Sequence, residues 1–161
     1  MFYEIVVAPS YTPEGLAKLK GKSKTLRILE APPRPPSGRS LRQVGGGWLL
    51  QGADDASAEG IEFTVVSKKQ PTPEQLADLR FAWACAKHVK SNAIAIAKGG
   101  AMLGMGSGQP NRVNSVRIAL GKAGDEVKGS SLASDAFFPF TWGDSVEIAC
   151  QAGVAAIAHP G

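Results

Sequence analysis

Apolar and polar positions along this chain alternate with both strand and helix periods. Residues 3–8 and 93–97 are almost wholly apolar, and each stretch predicts a buried strand. Residues 61–65 alternate apolar and polar side chains, which is typical of a strand with one buried face. Shorter apolar runs predict further strands at 25–29, 131–133 and 154–158, and the Gly99-Gly100 pair predicts a hairpin between 93–97 and 101–105.

Helix starts are marked by a threonine followed by a proline. Thr12-Pro13 and Thr72-Pro73 each combine an N-cap residue with proline at the first helical position, and Gln75 completes a capping box at the second. Apolar residues then recur in steps of three and four and predict a core-facing stripe, at Leu76, Leu79, Trp83, Ala86 and Val89. Two more helices are predicted at 115–122 and 144–151.

Strands that alternate with helices predict an α/β fold with a mixed sheet covered on both faces. The length of 161 residues and a hydrophobic content of 43% fit one globular unit. Four prolines at residues 31–38 predict a surface connector, with a ligand for a partner's aromatic groove as the alternative. The glycines at 45–47 predict a bulge or a close backbone approach that leads into a strand.

Charge and cysteine content narrow the choice of partners and compartment. The net charge is +4, and a basic group early in the chain indicates either a solvated face or an anion-binding surface. Stacking aromatic residues are missing from that group, which disfavours nucleic acid. Cys85 and Cys150 lack metal-ligand spacing and predict buried free thiols. The apolar runs are too short to span a membrane and the N-terminus resembles no secretory signal, so we expect a cytoplasmic protein.

Candidate chemistry lies mainly in the last third of the chain. Residues 134–140 hold three phenylalanines and a proline, and Asp135 and Asp144 flank this aromatic wall. Such a segment suits a flat ring whose edge is hydrogen-bonded by a carboxylate.

The glycine-rich stretch at 104–112 predicts a turn with exposed amides that ends in Asn111 and Arg112, which suits a phosphate. A bare structural turn is the alternative. His88 falls at a predicted helix end, where a histidine usually compensates the helix dipole. No motif indicates a metal site.

Three motifs, taken together, carry a resemblance. They read KHVKSNAI at 87–94, GMGSGQPNRV at 104–113 and SDAFFPF at 134–140, in this order. RQVGGG at 42–47 and TVVS at 64–67 extend the similarity over essentially the whole chain. The chain closely resembles the bifunctional purine biosynthesis family, which joins AICAR formyltransferase to IMP cyclohydrolase.

The resemblance implies that residues 1–161 form part of the second half of the formyltransferase domain. The cyclohydrolase domain, the first half and the extreme C-terminal part of the family's protein would then lie outside this sequence. The implied fold is a cytidine-deaminase-like, three-layer αβα arrangement with a mixed sheet and without zinc. The implied reaction transfers a formyl group from 10-formyltetrahydrofolate to AICAR in de novo purine biosynthesis.

Site residues follow from the resemblance by motif position. Asn92 and Arg112 are expected to contact AICAR, with Arg112 facing its phosphate. Val113, Phe137 and Asp144 are expected to contact the folate, with Asp144 at the amino edge of the pterin. The placement of Asp144 assumes a two-residue insertion relative to the family's pattern.

The family's catalytic Lys-His pair belongs to an earlier Lys-His-x-x-Pro motif, which this chain lacks. Lys87-His88 is therefore not expected to be catalytic, and we expect no catalytic residue in this chain. The isolated chain is expected to be inactive, and in the family the active sites lie at a homodimer interface. An inactive nucleotide- and folate-binding module that works with a partner chain is the alternative.

Overall fold

The computed structural model describes residues 3–33, 38–54, 60–140 and 142–161, and it divides the chain into two units. The first unit is Met1–Asp55 and the second is Ala56–Gly161. This division differs from the single unit expected from length. Length and hydrophobic content indicate how large a core the chain can form, but not which residues enter it. No described residue of the first unit is fully buried. Half of the predicted connector, residues 34–37, lies outside the described residues.

The first unit begins with a strand, a helix and a parallel strand: β1 (Ile5–Ala8), α1 (Pro13–Lys22) and β2 (Arg27–Glu30). The predicted start of α1 is confirmed, because the Thr12 hydroxyl accepts the Gly15 N–H at 3.1 Å. The prediction that β1 is buried is wrong. Ile5 and Val7 are 51% and 57% exposed, because β1 pairs with β2 alone in a two-stranded sheet.

A hairpin completes the first unit, formed by β3 (Arg39–Val44) and β4 (Gly47–Gly52). Val44 lies opposite Gly47, so the turn consists of Gly45 and Gly46 only. A side chain placed on any of these three glycines would meet nothing within 4 Å, so the predicted close approach is wrong. Gly45 has a φ of 54°, and two-residue hairpin turns favour positive φ, which accounts for a glycine at this position.

The second unit opens with the helix α2 (Pro73–Lys87), which begins at the predicted capping box. The Thr72 hydroxyl accepts the Gln75 N–H at 3.2 Å, and the Gln75 side chain accepts the Thr72 N–H at 3.0 Å. Leu79 and Ala86 of the predicted stripe are buried, whereas the other three members are half-buried. His88 caps the C-terminus of α2, as its position at the helix end predicts.

Four strands form one mixed sheet: β5 (Ile94–Lys98), β6 (Ala101–Gly106), β7 (Ser131–Ser134) and β8 (Ala156–Ala158). Their order is β6-β5-β7-β8, with β5 antiparallel to both neighbours and β7 parallel to β8. The predicted hairpin at Gly99-Gly100 is confirmed, and the Asp78 carboxylate accepts both glycine N–H groups. The predicted mixed sheet is confirmed.

Helices cover both faces of this sheet, which gives the second unit three layers. One face carries Ile94, Ile96 and Leu132 and packs against α3 (Arg112–Ala123) and α4 (Ser145–Ala152). The opposite face of the sheet is almost entirely alanine and packs against α2. Its alanines Ala95, Ala97 and Ala133 cluster with Ala82 and Ala86 of that helix. Because side chains alternate across a strand, β5 alone supplies residues to both cores.

The strand predicted at 61–65 does not form. Ile61 and Phe63 are half-buried, whereas Glu62, Thr64 and Val65 are exposed, so the alternation of burial is present without a strand. The ring of Phe63 meets Trp83 edge-on with centroids 5.9 Å apart, and Arg80 donates to the Ile61 carbonyl at 2.8 Å. The apolar alternation therefore reflects contact with α2 rather than pairing in a sheet.

Both cysteines are free, as predicted. The prediction that they are buried is wrong for Cys150, which is exposed on α4, whereas Cys85 is half-buried. Ala149, the residue before Cys150, is buried in the core, and Ile148 and Ala152 of the same helix pack against that core. Among the described residues no helix is both long and apolar enough to cross a bilayer. In the same part of the chain, no group of histidine, cysteine and acidic side chains could hold a metal ion.

Candidate functional site

Three distant segments of the second unit meet at one end of its sheet. Ile94 pairs with Ser134, so the start of β5 lies beside the end of β7. The Ser115 hydroxyl of α3 donates to the Asn92 carbonyl at 2.8 Å, which fixes the start of that helix at the same place. The cluster built there consists of Asn92, Arg112, Ser134 and Asp135, and we call it the arginine cluster.

Two glycines of the predicted phosphate-binding turn position α3 instead. Gly104 and Gly106 lie in β6, and both are buried. A Cβ on Gly104 would clash with the Ala119 carbonyl oxygen, and one on Gly106 would clash with the backbone of Ser115. The prediction of a turn is thus wrong for these two residues, because their lack of a side chain lets a helix and a strand touch backbone to backbone.

Arg112 is the first residue of α3, and its guanidinium makes three hydrogen bonds. Nη1 donates to Ser134 Oγ at 2.9 Å and to Asp135 Oδ1 at 2.5 Å. Nη2 donates to Asn92 Oδ1 at 2.8 Å, and the side chain is only 12% exposed. The structure therefore joins the two predicted AICAR residues directly and pairs the guanidinium with a carboxylate.

Asp135 is the acidic member of the cluster and accepts hydrogen bonds from several sides. Its Oδ1 also accepts the Ala93 N–H at 2.9 Å, and the Ser91 side chain bonds to the same carboxylate. Burial raises the pKa of Asp135, but the bonds from Ser91, Arg112 and Ala93 and the positive charge of Arg112 outweigh it. The pKa consequently lies below the ordinary value of 3.8, and Asp135 is ionised at neutral pH.

Asn92 is held at both ends of its amide. Its Oδ1 accepts from Arg112, and its Nδ2 donates to the Gln109 carbonyl at 2.8 Å. The Ser91–Asn92 peptide bond is cis. These bonds attach the loop before α3 to the start of β5, so the predicted AICAR residues sit in an ordered hydrogen-bonded environment.

The predicted folate residues do not belong to this cluster. Val113 follows Arg112 on α3, is half-buried, and its N–H is accepted by the Asn111 side chain at 2.9 Å. Phe137 lies just after β7 with 57% of its surface exposed. Phe138, by contrast, packs against the core and meets the ring of His159 edge-on at 5.5 Å.

Asp144 is the N-cap of α4. Its Oδ1 accepts the Ser145 N–H at 2.5 Å and the Ser145 hydroxyl at 2.7 Å. The predicted helix start is confirmed, and this carboxylate has a structural task independent of any ligand.

Sequence reasoning missed the roles of Ser134 and Asp135. Asp135 was predicted only as a carboxylate beside the aromatic wall, suited to a ring edge, whereas it binds an arginine 23 positions earlier in the chain. The available signal was its place at the end of a strand predicted to lie in the same sheet as residues 93–97. The antiparallel register that brings the two strand ends together could not be read from either stretch alone.

The described residues also line a cavity of about 750 Å³ that contains none of the predicted site residues. It lies between residues 61–67, α2 and β8, and its lining is mainly apolar. Shape alone would favour this cavity, but the arrangement of polar groups favours the arginine cluster as the candidate site.

The sequence of this chain is similar to a known protein family and to bacterial relatives. The family model described as "AICARFT/IMPCHase bienzyme" matches residues 1–122. The bifunctional purine biosynthesis protein PurH of Desulfitobacterium hafniense (strain DSM 10664 / DCB-2) is 48% identical over 165 residues, covering 99% of this chain. PurH of Microcystis aeruginosa (strain NIES-843 / IAM M-2473) is 50% identical over 161 residues, again covering 99%. The chain spans 31% of the length of each of these relatives.

Among solved structures, RibD of Acinetobacter baumannii (form 2) aligns with a TM-score of 0.36 and 18% identity. The alignment covers 54% of this chain and 28% of RibD.

Proposed function

The chain belongs to the AICARFT/IMPCHase bienzyme family, and we propose that it forms part of an AICAR formyltransferase. The proposed reaction of the whole enzyme moves a formyl group from 10-formyltetrahydrofolate to the 5-amino group of AICAR. Residues 1–161 would be a portion of the second half of the formyltransferase domain. The observation that carries this proposal is the arginine cluster, which joins the two motif residues assigned to AICAR.

Arg112 and Asn92 would recognise AICAR by hydrogen bonding and charge. A guanidinium has five N–H donors, and the arginine cluster engages three of them. The other two, one on Nη2 and one on Nε, would donate to a phosphate, which a guanidinium binds in a planar, forked geometry. Because Asp135 offsets the charge of Arg112, this contact would depend on direction as much as on attraction.

Phe137 and Asp144 would serve the folate. An exposed aromatic face suits the flat pterin ring, so the exposure of Phe137 supports this role. Asp144 would accept the pterin amino group through Oδ2 while Oδ1 caps α4. The residues present therefore fit a folate in part, and 10-formyltetrahydrofolate when bound supplies the formyl group. Val113, the residue after Arg112, would contribute an apolar contact to the folate.

The finer fold, quaternary state and location are part of the same proposal. A mixed four-stranded sheet between helices on both faces supports a cytidine-deaminase-like arrangement that works without zinc. We place the whole enzyme in the cytoplasm as a homodimer whose subunits complete each other's active sites. The catalytic lysine and histidine would come from outside this chain.

Formyl transfer by mixed proteins tests the proposal. The chain is assayed alone and after mixing with the remainder of the D. hafniense relative, expressed without the matching region. We expect no turnover by either part alone and measurable turnover by the mixture. Turnover by the isolated chain would contradict the assignment of catalysis to residues outside it.

A pair of arginine variants on α3 makes the assay specific to the site. Arg112→Gln removes the guanidinium of the arginine cluster, and Arg117→Gln removes an exposed one from the same helix. We expect Arg112→Gln to weaken AICAR binding by about tenfold or more, the worth of a charged hydrogen bond. Arg117→Gln is expected to retain wild-type affinity. Equal affinities for the two variants would refute the site, and tight AICAR binding without turnover in any mixture would favour the inactive binding module.

A further inference from the structure

A single carboxylate oxygen links the two residues to which AICAR recognition is assigned above. Asp135 Oδ1 accepts both Arg112 Nη1, at 2.5 Å, and the Ala93 N–H, at 2.9 Å. Ala93 directly follows Asn92 in the chain, so the same atom restrains the guanidinium of one recognition residue and the backbone of the other. Asn92 and Arg112 are also bonded to each other, which closes the connection.

Ser134 removes further freedom from the guanidinium. Its Oγ accepts from Arg112 Nη1 at 2.9 Å and donates to the Ala136 carbonyl at 2.7 Å. Nη1 is therefore held by two acceptors on consecutive residues of the same chain segment. A planar group fixed at Nη1 and at Nη2 has no remaining rotation about its own axis, so its direction is set before any ligand binds.

The charge of Asp135 adds a second effect. The carboxylate is 24% exposed and Arg112 is 12% exposed, so both charges lie largely out of water and attract each other more strongly than a surface pair would. The lowered pKa of Asp135 keeps this carboxylate ionised at neutral pH. A neutralised guanidinium attracts free anions weakly, and a ligand must match its geometry to bind.

We propose that Asp135 is a positioning residue for the AICAR site, which orients Arg112 and the backbone at Asn92 through its Oδ1 atom. This inference rests on the proposed function, and it adds a residue that the motif comparison with the family did not assign. Asp135 touches no substrate in this role and acts only through Arg112 and Asn92.

The primary test is a double-mutant cycle with AICAR titrated calorimetrically into the chain, or into the reconstituted mixture described above. Asp135→Asn keeps the shape of the side chain and removes its charge. We expect it to weaken AICAR binding by about tenfold in the wild-type background, because Arg112 loses the charged hydrogen bond that orients it, and this loss exceeds the gain from its unmasked positive charge. In the Arg112→Gln background the same change is expected to alter affinity by no more than about twofold.

This cycle separates positioning from a general effect on folding. An equal loss of AICAR affinity in both backgrounds would overturn the proposal, because Asp135 would then act independently of Arg112. Asp125→Asn, which removes an exposed carboxylate from the turn after α3, is the matched control and is expected to bind as the wild type does.

A spectroscopic arm decides the proposal even if AICAR does not bind. In ¹H–¹⁵N spectra of the chain without ligand, Asp135→Asn is expected to shift the Ala93 amide and to speed exchange of the Arg112 side-chain N–H with water. Wild-type shifts and exchange in that variant would overturn the positioning role. Failure of every assembly to bind AICAR, with these spectral changes present, would instead contradict the proposed function.

Discussion

The arginine cluster and the aromatic wall differ in how far the protein itself fixes them. The Arg112 guanidinium makes three hydrogen bonds within the cluster, and its side chain is 12% exposed. Phe137 projects with 57% of its surface exposed, and Phe140 with 63%. One region is organised before a ligand arrives, whereas the other presents apolar surface that a ligand would cover.

The difference follows from where each region lies in the fold. The arginine cluster joins the ends of two paired strands to the start of a helix, so three elements constrain it. The aromatic wall occupies the connection between β7 and α4 and is attached to the core mainly by Phe138. The proposed nucleotide site is therefore expected to respond to changes in packing, and the proposed folate site mainly to changes in its own side chains.

The largest expected effect comes from Gly106→Ala. The added methyl group would overlap the Ser115 backbone, so α3 must move away from β6 and carry Arg112 with it. We expect a loss of about 3 kcal/mol or more in the free energy of unfolding, the upper end for an overpacked core, measured by urea denaturation. The arginine cluster should lose its geometry, while the aromatic wall should change little.

Gly121→Ala is the matched control in the same helix. Nothing lies within 4 Å of the added methyl group, so we expect a gain of up to about 1 kcal/mol from helix propensity. Destabilisation of equal size by the two variants would contradict the close approach at Gly106.

The next effect is a pH dependence of stability at the arginine cluster. The folded-state pKa of Asp135 lies below its ordinary value of 3.8, so ionised Asp135 stabilises the fold above that value. This contribution is lost as the pH falls through the lowered pKa of the folded state. Asp135→Asn is therefore expected to be less stable than the wild type at neutral pH, with a difference that shrinks in acid.

Thermal unfolding of both proteins from neutral pH to below pH 3.8 measures this difference. Asp125→Asn, which removes an exposed carboxylate, is the matched control for the loss of one negative charge. A gap for Asp135→Asn that stays constant over this range would mean that the charge of Asp135 does not stabilise the folded protein.

A smaller effect is expected at Asp144, where capping and ligand contact can be separated. Asp144→Ala removes the cap of α4 and should cost about 1 kcal/mol of stability, whereas Asp144→Ser keeps a capping oxygen and should cost little. Both variants should weaken folate binding if the carboxylate meets the pterin. Wild-type folate affinity in Asp144→Ser would restrict Asp144 to its structural task.

The smallest effect on stability is expected at Phe137. Because its ring is largely exposed, Phe137→Ala should change the free energy of unfolding by no more than about 0.5 kcal/mol. Folate affinity should fall by up to about tenfold through the lost ring contact. Phe81→Ala, on the exposed side of α2, is the control for loss of a surface phenylalanine. An unchanged folate affinity in Phe137→Ala would remove the aromatic wall from the proposed site.

Local sequence signals predicted the elements whose cause is local. The capping box at Thr72 and the Gly99-Gly100 turn act within a few residues, and both are confirmed. The predictions of a strand at 61–65 and of a turn at Gly104 are wrong for the opposite reason. Their sequence patterns arise from distant contacts, with α2 and α3 respectively. Alternating apolar side chains, or a single glycine, give the same sequence pattern whether the segment packs against a strand, packs against a helix or faces solvent.

The candidate site shows the same limit. The motifs identified Asn92 and Arg112, and the structure brings them together. Motif position could not show that Arg112 is already paired with Asp135, because that contact depends on the register of β5 against β7. The assignments of Asn92 and Arg112 to AICAR, and of Val113, Phe137 and Asp144 to folate, stay predictions.

The backbone contact between β6 and α3 has a consequence for anyone who would rebuild this site elsewhere. Gly104 and Gly106 let the main chain of the helix rest on the main chain of the strand. Apart from the two glycines themselves, this contact involves only backbone atoms, so substitutions elsewhere on the helix surface leave the start of α3 in place. A designer who transplants the arginine cluster should therefore copy the two glycines first, since they set the geometry that the polar residues then use.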